Sequence, residues 1–382
     1  MRPPTLMVSA AYAAQGVGYA VVVTALPAAK DRMGFSDAVV SAVLLGVCVA
    51  AALGSGLADA VAVRRGSRVA LCVGFGVQFV ALLGISLAHQ LPVYLVAVAL
   101  YGLGLGTVDA GSNMQGTALQ ARAGVPLLGR LYSVFTVGSV LGALLSAGVA
   151  ALGVSALTLV GVVAFVQLGL ASAGRTRFLP TLPACTADRA PATPLPRAGI
   201  WAVGSLVLVA YVLDAAVSTW STIYLADGLR ASAVLAPVAY AAYQAMVLLT
   251  RLVTDPAVVR WGRSAVAVSA LLFGAAGCAL IVLGPAAPVA VAGFAVAGLA
   301  VGAVVPIAFA AAGRLLPARS DEVIARVNVF NYAGAVTGAV IPGLLGTGAA
   351  LRFGFVAPAL ALLLVLPVAR RLTSSVPQGE PA

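Results

Sequence analysis

YGLGLGTVDAGSNMQG, Tyr101–Gly116, decides how this chain reads. It lies inside an apolar segment that begins near Pro92, and Asp109 stands near its middle, far from either polar flank. If the segment spans a bilayer, that carboxylate sits in hydrocarbon or in a cavity. An acid at mid-helix costs roughly 2.5–3.5 kcal/mol on insertion scales, so it is expected to face a bundle interior. Helical spacing agrees, because Gly102, Gly106, Asp109, Ser112, Asn113 and Gly116 fall on one face at three- and four-residue steps. That face offers small residues for close helix contact and three polar groups for a ligand or a proton.

The rest of the chain reads as scaffold around such a face. Of 382 residues, 62% are hydrophobic and 9% charged, where a soluble domain carries about 25% charged residues. Apolar runs of roughly 20 residues recur from end to end, each long enough to cross a ~30 Å hydrocarbon core. The alternating pattern of a membrane barrel is absent. The fold class is therefore an all-α polytopic membrane protein.

A net charge of +11 invites a nucleic-acid reading. The placement of the basic residues rejects it. Arg64, Arg65 and Arg68 follow the second apolar segment, Arg122 and Arg130 the fourth, and Arg175, Arg177, Arg189 and Arg197 the sixth. Arg260 and Arg263 follow the eighth, Arg314 and Arg319 the tenth, and Arg370 and Arg371 the last. Alternate loops hold only Lys30, Arg32, Arg230 and Arg352. That bias puts both termini in the cytoplasm, in a multi-pass protein of the cytoplasmic membrane with an even number of spans.

Cys48, Cys72, Cys185 and Cys278 show no metal spacing and no disulfide framework, and His89 sits alone at an outer helix end. No metal or cofactor is expected. One lysine beside 21 arginines, with abundant Ala, Gly and Val, suggests a GC-rich bacterial genome.

Twelve segments are expected, at roughly 5–29, 38–62, 69–89, 92–119, 128–151, 153–174, 200–226, 233–257, 264–284, 288–312, 326–349 and 352–371. The first is too long for a cleaved leader and ends in Lys30-Asp31. Residues 175–199 break the pattern with four arginines and with Pro180, Pro183, Pro191, Pro194 and Pro196. They read as an extended cytoplasmic linker between an N-terminal bundle, 1–174, and a C-terminal bundle, 200–382.

An internal repeat appears at an offset of 196 residues. Asp59, Arg64 and Gly66 map onto Asp255, Arg260 and Gly262; Gly102 and Gly106 onto Gly298 and Gly302. Arg130, Gly138 and Gly142 map onto Arg326, Gly334 and Gly338, and Asp31 and Ser36 onto Asp227 and Ser232. The register is read without a gap across most of each half.

Two parallel six-helix halves joined by a cytoplasmic linker resemble the major facilitator superfamily. The resemblance covers nearly the whole chain. It implies twelve transmembrane helices in two pseudo-symmetric bundles, with the first, fourth, seventh and tenth lining a central cavity. AQGVGYAVVVTALPAAKDRMGFSD, VDAGSNMQG and DAAVSTWSTIYLAD further resemble the rhizopine-transporter-like branch. Gln15 replaces that branch's helix-one Asn, and Thr219 stands where a second acid often precedes Trp220. The helix-five Gly-Pro signature of proton-driven exporters is missing, since 138–142 reads GSVLG.

Asp109 and Asp214 are the two acids expected deep in the membrane, and they are the candidates for proton coupling or for binding a cationic or hydroxyl-rich substrate. The bland alternative is a carboxyl bonded to a neighbouring helix. Tyr12, Gln15, Tyr19, Asn113, Tyr211, Ser218, Tyr240, Tyr243, Gln244, Asn328 and Asn331 are the candidate substrate contacts. Their amides and phenols suit a polar ligand with an apolar body, and equally suit interhelical bonds. Asp59 and Asp255 resemble the acid of the superfamily's loop motif, and each is expected to meet an arginine across the seam, Asp59 with Arg326 and Asp255 with Arg130, as a gate latch. The Gly-xxx-Gly pairs read as tight helix packing.

The function implied is proton-linked secondary transport of a small neutral or cationic organic molecule by alternating access, with export favoured by analogy. Import of a polyol- or sugar-like nutrient by proton symport is the alternative. A membrane-embedded enzyme lacks a His/Asp cluster, a metal set or a nucleophile motif, and a non-transporting sensor or scaffold is the third class. The expected partners are the substrate, protons and the lipid bilayer, with the chain acting as a monomer and no nucleic acid.

Overall fold

A computed structural model describes residues 3–35, 37–180, 194–231, 236–284, 286–346 and 348–372. Every regular element in them is helical. The N-terminal half holds α1 (Pro3–Met33), α2 (Asp37–Arg65), α3 (Ser67–Leu87), α4 (Leu91–Ala123), α5 (Leu128–Ala151) and α6 (Ala156–Arg177). The C-terminal half holds α7 (Arg197–Ile223), α8 (Ala236–Trp261), α9 (Arg263–Leu283), α10 (Ala287–Leu315), α11 (Ser320–Leu345), α12 (Val356–Leu364) and the short α13 (Leu366–Arg370). Among the described residues, ten helical stretches are long and apolar enough to cross a membrane. The other two long helices, α8 and α11, have 26 residues each and carry charged residues at or near their terminus-side ends.

Three local features depart from the expected segments. The twelfth is not one helix: Gly348–Phe355 is 3₁₀, and the chain breaks again between α12 and α13. Pro367 lacks an N–H and its ring would meet the carbonyl four residues back, which accounts for the second break. The first and last three residues of the expected linker, 175–177 and 197–199, are helical. Ser36, Ser232, Pro183, Cys185, Arg189 and Pro191 lie outside the described residues.

Helix pairing repeats six elements on. In the first half α1 packs on α5 and α6, α2 on α4, and α3 on α4 and α6; in the second α7 packs on α11, α8 on α10, and α9 on α10 and α12. Glycines set these contacts. A Cβ on Gly106 would lie 1.8 Å from the Ala51 carbonyl oxygen of α2, and one on Gly302 would lie 2.8 Å from the Val247 oxygen of α8. The connections repeat as well. Gly66 (φ 84°) and Gly262 (φ 82°) are the single residues joining α2 to α3 and α8 to α9, a conformation open only to glycine.

The register has one slip. Gly138 and Gly142 press on the oxygens of Ala13 and Val17, while their equivalents Gly334 and Gly338 press on those of Leu208 and Val212. The glycines are 196 apart but the oxygens only 195. The end of α7 resolves this, because Tyr224–Gly228 forms a π-turn. A π-turn takes in one extra residue, so Asp31 and Asp227 return to the 196 offset.

The halves meet through α2 with α11, α5 with α8, and α4 and α5 with α10, with α4 also touching α11. The polar and ring contacts across this seam lie between mid-span and the end that carries both termini. At that end a Cβ on Gly313 of α10 would touch the Thr117 side chain of α4 at 3.0 Å. Toward the opposite end the inner faces are open: Tyr19 is 46% exposed, Ser218 is exposed, and Asp109 and Asp214 are half-buried.

Candidate functional site

α4 places Asp109 one turn before Asn113, and each is the hub of a polar layer. In the upper layer Gln15 of α1 donates its Nε2–H to Asp109 Oδ1 at 2.7 Å, and Tyr332 of α11 donates its hydroxyl to Oδ2 at 2.5 Å. Gln15 is itself held, its Oε1 accepting from Gln78 of α3 at 2.8 Å. Asp109 thus bonds both halves of the molecule at once.

In the lower layer Tyr12 and Tyr132 both donate to Asn113 Oδ1, at 3.0 and 2.8 Å. Asn113 donates to Asn328 Oδ1 at 3.5 Å, and Asn328 donates to Ser55 of α2 at 2.8 Å. Five helices, α1, α2, α4, α5 and α11, share this string. Ser112, on the same stretch of α4, is buried with its hydroxyl unpartnered.

The C-terminal acid stands apart. Asp214 of α7 accepts the Tyr243 hydroxyl at 2.7 Å, and Gln244 donates to the Tyr240 hydroxyl at 3.0 Å. Ser218 is also a hydrogen-bond neighbour of Tyr240. Tyr211 packs where α7 meets Gly334 of α11, and Asn331 is buried on α11. Asp214, Ser218, Tyr240 and Gln244 therefore form a partly open shelf on one side of the opening, and Tyr19 lies opposite on α1. Tyr19 and Asp214 are themselves 195 residues apart, the offset that relates α1 to α7.

Arg251 is not among the candidate contacts read from the sequence, where it is only the basic residue nearest mid-membrane. It is 8% exposed on α8. Its guanidinium lies 5.3 Å from the Tyr132 ring centroid and donates to Thr136 Oγ1 and to the Tyr132 carbonyl. Its Nε has no partner. The repeat carried the signal: Arg251 falls on Ser55 and Asn328 falls on Tyr132 at the 196 offset. The two seams are thus equivalent positions filled with different chemistry, an amide–hydroxyl bond on one side and a cation on an aromatic face on the other.

The expected latch takes a different form. Asp255 lies beside Arg130 and feels its charge through space, with no side-chain ion pair between them. It accepts the backbone N–H groups of Gly129 (3.0 Å) and Arg130 (2.9 Å) and so caps α5 from the other half. These are free first-turn donors of a helix that starts at Leu128. Asp59 has no such partner, and its Oδ1 is buried without a hydrogen bond. The reason is local. α11 starts at Ser320, an extra turn before the equivalent of Leu128, so the N–H groups that Asp59 would cap are already used inside the helix. Arg326 and Arg319 act on Asp59 only through space, and Arg319 is bound to Glu322 at 2.5 Å. Asp321, in that extra turn, instead accepts from the Ser67 backbone and hydroxyl at the start of α3.

Among the described residues no group of His, Cys, Asp and Glu could hold a metal ion.

Residues 203–382 match the family profile described as Major Facilitator Superfamily. An uncharacterized MFS-type transporter of Yersinia pestis is 26% identical over 361 residues, covering 94% of this chain and 93% of that one. An uncharacterized transporter of Sinorhizobium fredii is 29% identical over 322 residues, 81% of each. A crystal structure of the Escherichia coli fucose:proton symporter FucP superposes with a TM-score of 0.80 at 14% identity, over 97% of this chain and 99% of that one. The C-terminal half thus matches the superfamily's profile, and the whole chain has its fold. The two polar layers lie where its two halves face each other.

Proposed function

We propose that this chain is an MFS transporter that couples proton movement to passage of a small neutral or cationic organic molecule across the cytoplasmic membrane, with export the favoured direction. One observation carries the reading: Asp109 is a half-buried carboxylate that accepts from Gln15 in one half and from Tyr332 in the other. An ionised Asp109 accepts from both and draws the halves together at mid-span. On protonation one oxygen becomes a donor and a poorer acceptor, so the bond accepted there weakens. Proton binding and separation of the halves are thereby linked.

The shelf around Asp214 is the proposed substrate side. Two acids outweigh the single cation Arg251, and that cation is engaged with Tyr132 and Thr136 of α5. An anion 6 Å from a carboxylate at an effective dielectric of about 20 is repelled by roughly 3 kcal/mol, so neutral and cationic solutes are favoured. The Tyr, Gln and Asn lining suits a polyol as well, and the fucose:proton symporter shares the fold. Import by proton symport is the second reading. The local strings support placing the chain near the rhizopine-transporter-like branch. The arginine bias supports a cytoplasmic location for both termini, and the helical ends at 177 and 197 support two bundles that rock about the seam.

The test is transport in proteoliposomes with and without a pH gradient. Asp109→Asn is expected to keep counterflow exchange and to lose gradient-driven accumulation at least tenfold. Asp214→Asn is expected to act on apparent affinity instead. Full gradient-driven flux in Asp109→Asn would overturn the assignment.

A further inference from the structure

A groove between the start of α7 and α11 has no part in the transport site. Its lining is Arg197, Ile200, Trp201, Arg326 and Phe330, around a volume of about 240 Å³. The Trp201 and Phe330 rings meet edge to face at 5.1 Å and 87°. Phe330 can lie against α7 because Gly204 has no side chain; a Cβ there would come within 2.6 Å of the ring. Trp201 is 68% exposed, and both arginines are exposed. Neither guanidinium has an ion pair or hydrogen bond among the described residues, and the first turn of α7 has no side-chain cap.

The chemistry of the lining is divided. Two cations stand at the terminus-bearing end, and an aromatic and aliphatic floor runs inward from them. Asp59 feels the charge of Arg326 without a bond to it, and Glu322 is committed to Arg319. A small hydrophilic anion would use the cations and gain nothing from the floor. A sterol or neutral lipid would do the reverse. An amphiphile with a phosphate above an acyl chain fits both, and a tryptophan one turn inside the helix end marks the headgroup level. Basic pockets between membrane helices favour anionic headgroups, at about 1 kcal/mol per arginine near the surface.

We infer that this groove binds the phosphate of an anionic phospholipid between Arg197 and Arg326, with the start of its acyl chain on Trp201 and Phe330. The experiment is native mass spectrometry of the full chain in mild detergent, with phosphatidylglycerol, phosphatidylcholine and inorganic phosphate as separate arms. Phosphatidylglycerol is expected to be retained over phosphatidylcholine, and Arg197→Gln to weaken it about fivefold, the factor that ~1 kcal/mol gives. Arg197→Lys is expected to keep most of the binding, and Trp201→Ala to weaken both lipids. On the unaltered protein, retention of phosphatidylglycerol should fall as ionic strength rises. Equal retention of the two lipids, salt-independent retention, or Arg197→Gln binding like the unaltered chain would each overturn the assignment. Inorganic phosphate held as tightly as phosphatidylglycerol would overturn the lipid as its source.

Discussion

Asp59 and Asp255 are the same residue in the repeat and do different work. Asp255 stands at the open first turn of α5 and takes two amides across the seam. Asp59 meets a helix whose equivalent amides are already paired, and one of its oxygens is left orphaned. Capping acids are worth about 1 kcal/mol and up to about 2, and removing one partner of a buried bond also strands the amides. Asp255→Ala is therefore expected to lower the stability of the purified protein by about 1–2 kcal/mol. Asp59→Ala is expected to fall within about 0.5 kcal/mol of the parent or slightly above it. Thermal unfolding of the two variants side by side measures this, and equal losses would show that the asymmetry has no energetic weight. The Asp109 layer teaches the same lesson. Its hub was visible in the sequence as a mid-helix acid, but its partner Tyr332 lies 223 residues away, and no local pattern pairs them.

At the scale of the element, small residues set how closely helices approach. Gly102 and Gly106 seat α4 on the backbone of α2, and Gly298 and Gly302 seat α10 on α8. Without a hydrophobic drive between helices in lipid, such close contacts carry much of the association. Gly106→Val would push its side chain into the Ala51 carbonyl and is expected to cost about 1–3 kcal/mol by overpacking. Gly56→Ala, with nothing within 4 Å of its Cβ, is expected to be neutral. Comparison of their melting curves decides it, and a tolerated Gly106→Val would mean that α2 can move away freely. The Gly-xxx-Gly spacing made these pairs legible. The π-turn at Tyr224–Gly228 was not legible, because one inserted residue leaves every composition signal in α7 unchanged and appears only when facing backbones are compared.

For the whole molecule, the seam is shut at the terminus-bearing end and open at the other. Thr117 and Gly313 mark the shut end, with Cβ positions close enough for a disulfide after a small shift. In a background with the four native cysteines replaced by serine, the pair Thr117→Cys and Gly313→Cys is expected to cross-link on mild oxidation. Transport should then stop and return on reduction. Cross-linking without loss of flux would show that the halves do not separate there during the cycle.

By itself the sequence determined the membrane class, the twelve spans, the internal repeat and the buried acids, because hydrophobic run length, arginine placement and glycine spacing are local quantities. It did not determine which polar groups meet. Gln78, Tyr132, Arg251 and Asp321 entered the polar layers and the seam only in three dimensions, and of the two latch acids Asp255 took backbone amides while Asp59 was left with an unpartnered oxygen. Those outcomes depend on helix starting points and on one residue of π-turn register. Both are set by packing between halves that lie some 200 residues apart in the chain, at a distance where sequence neighbours carry no information.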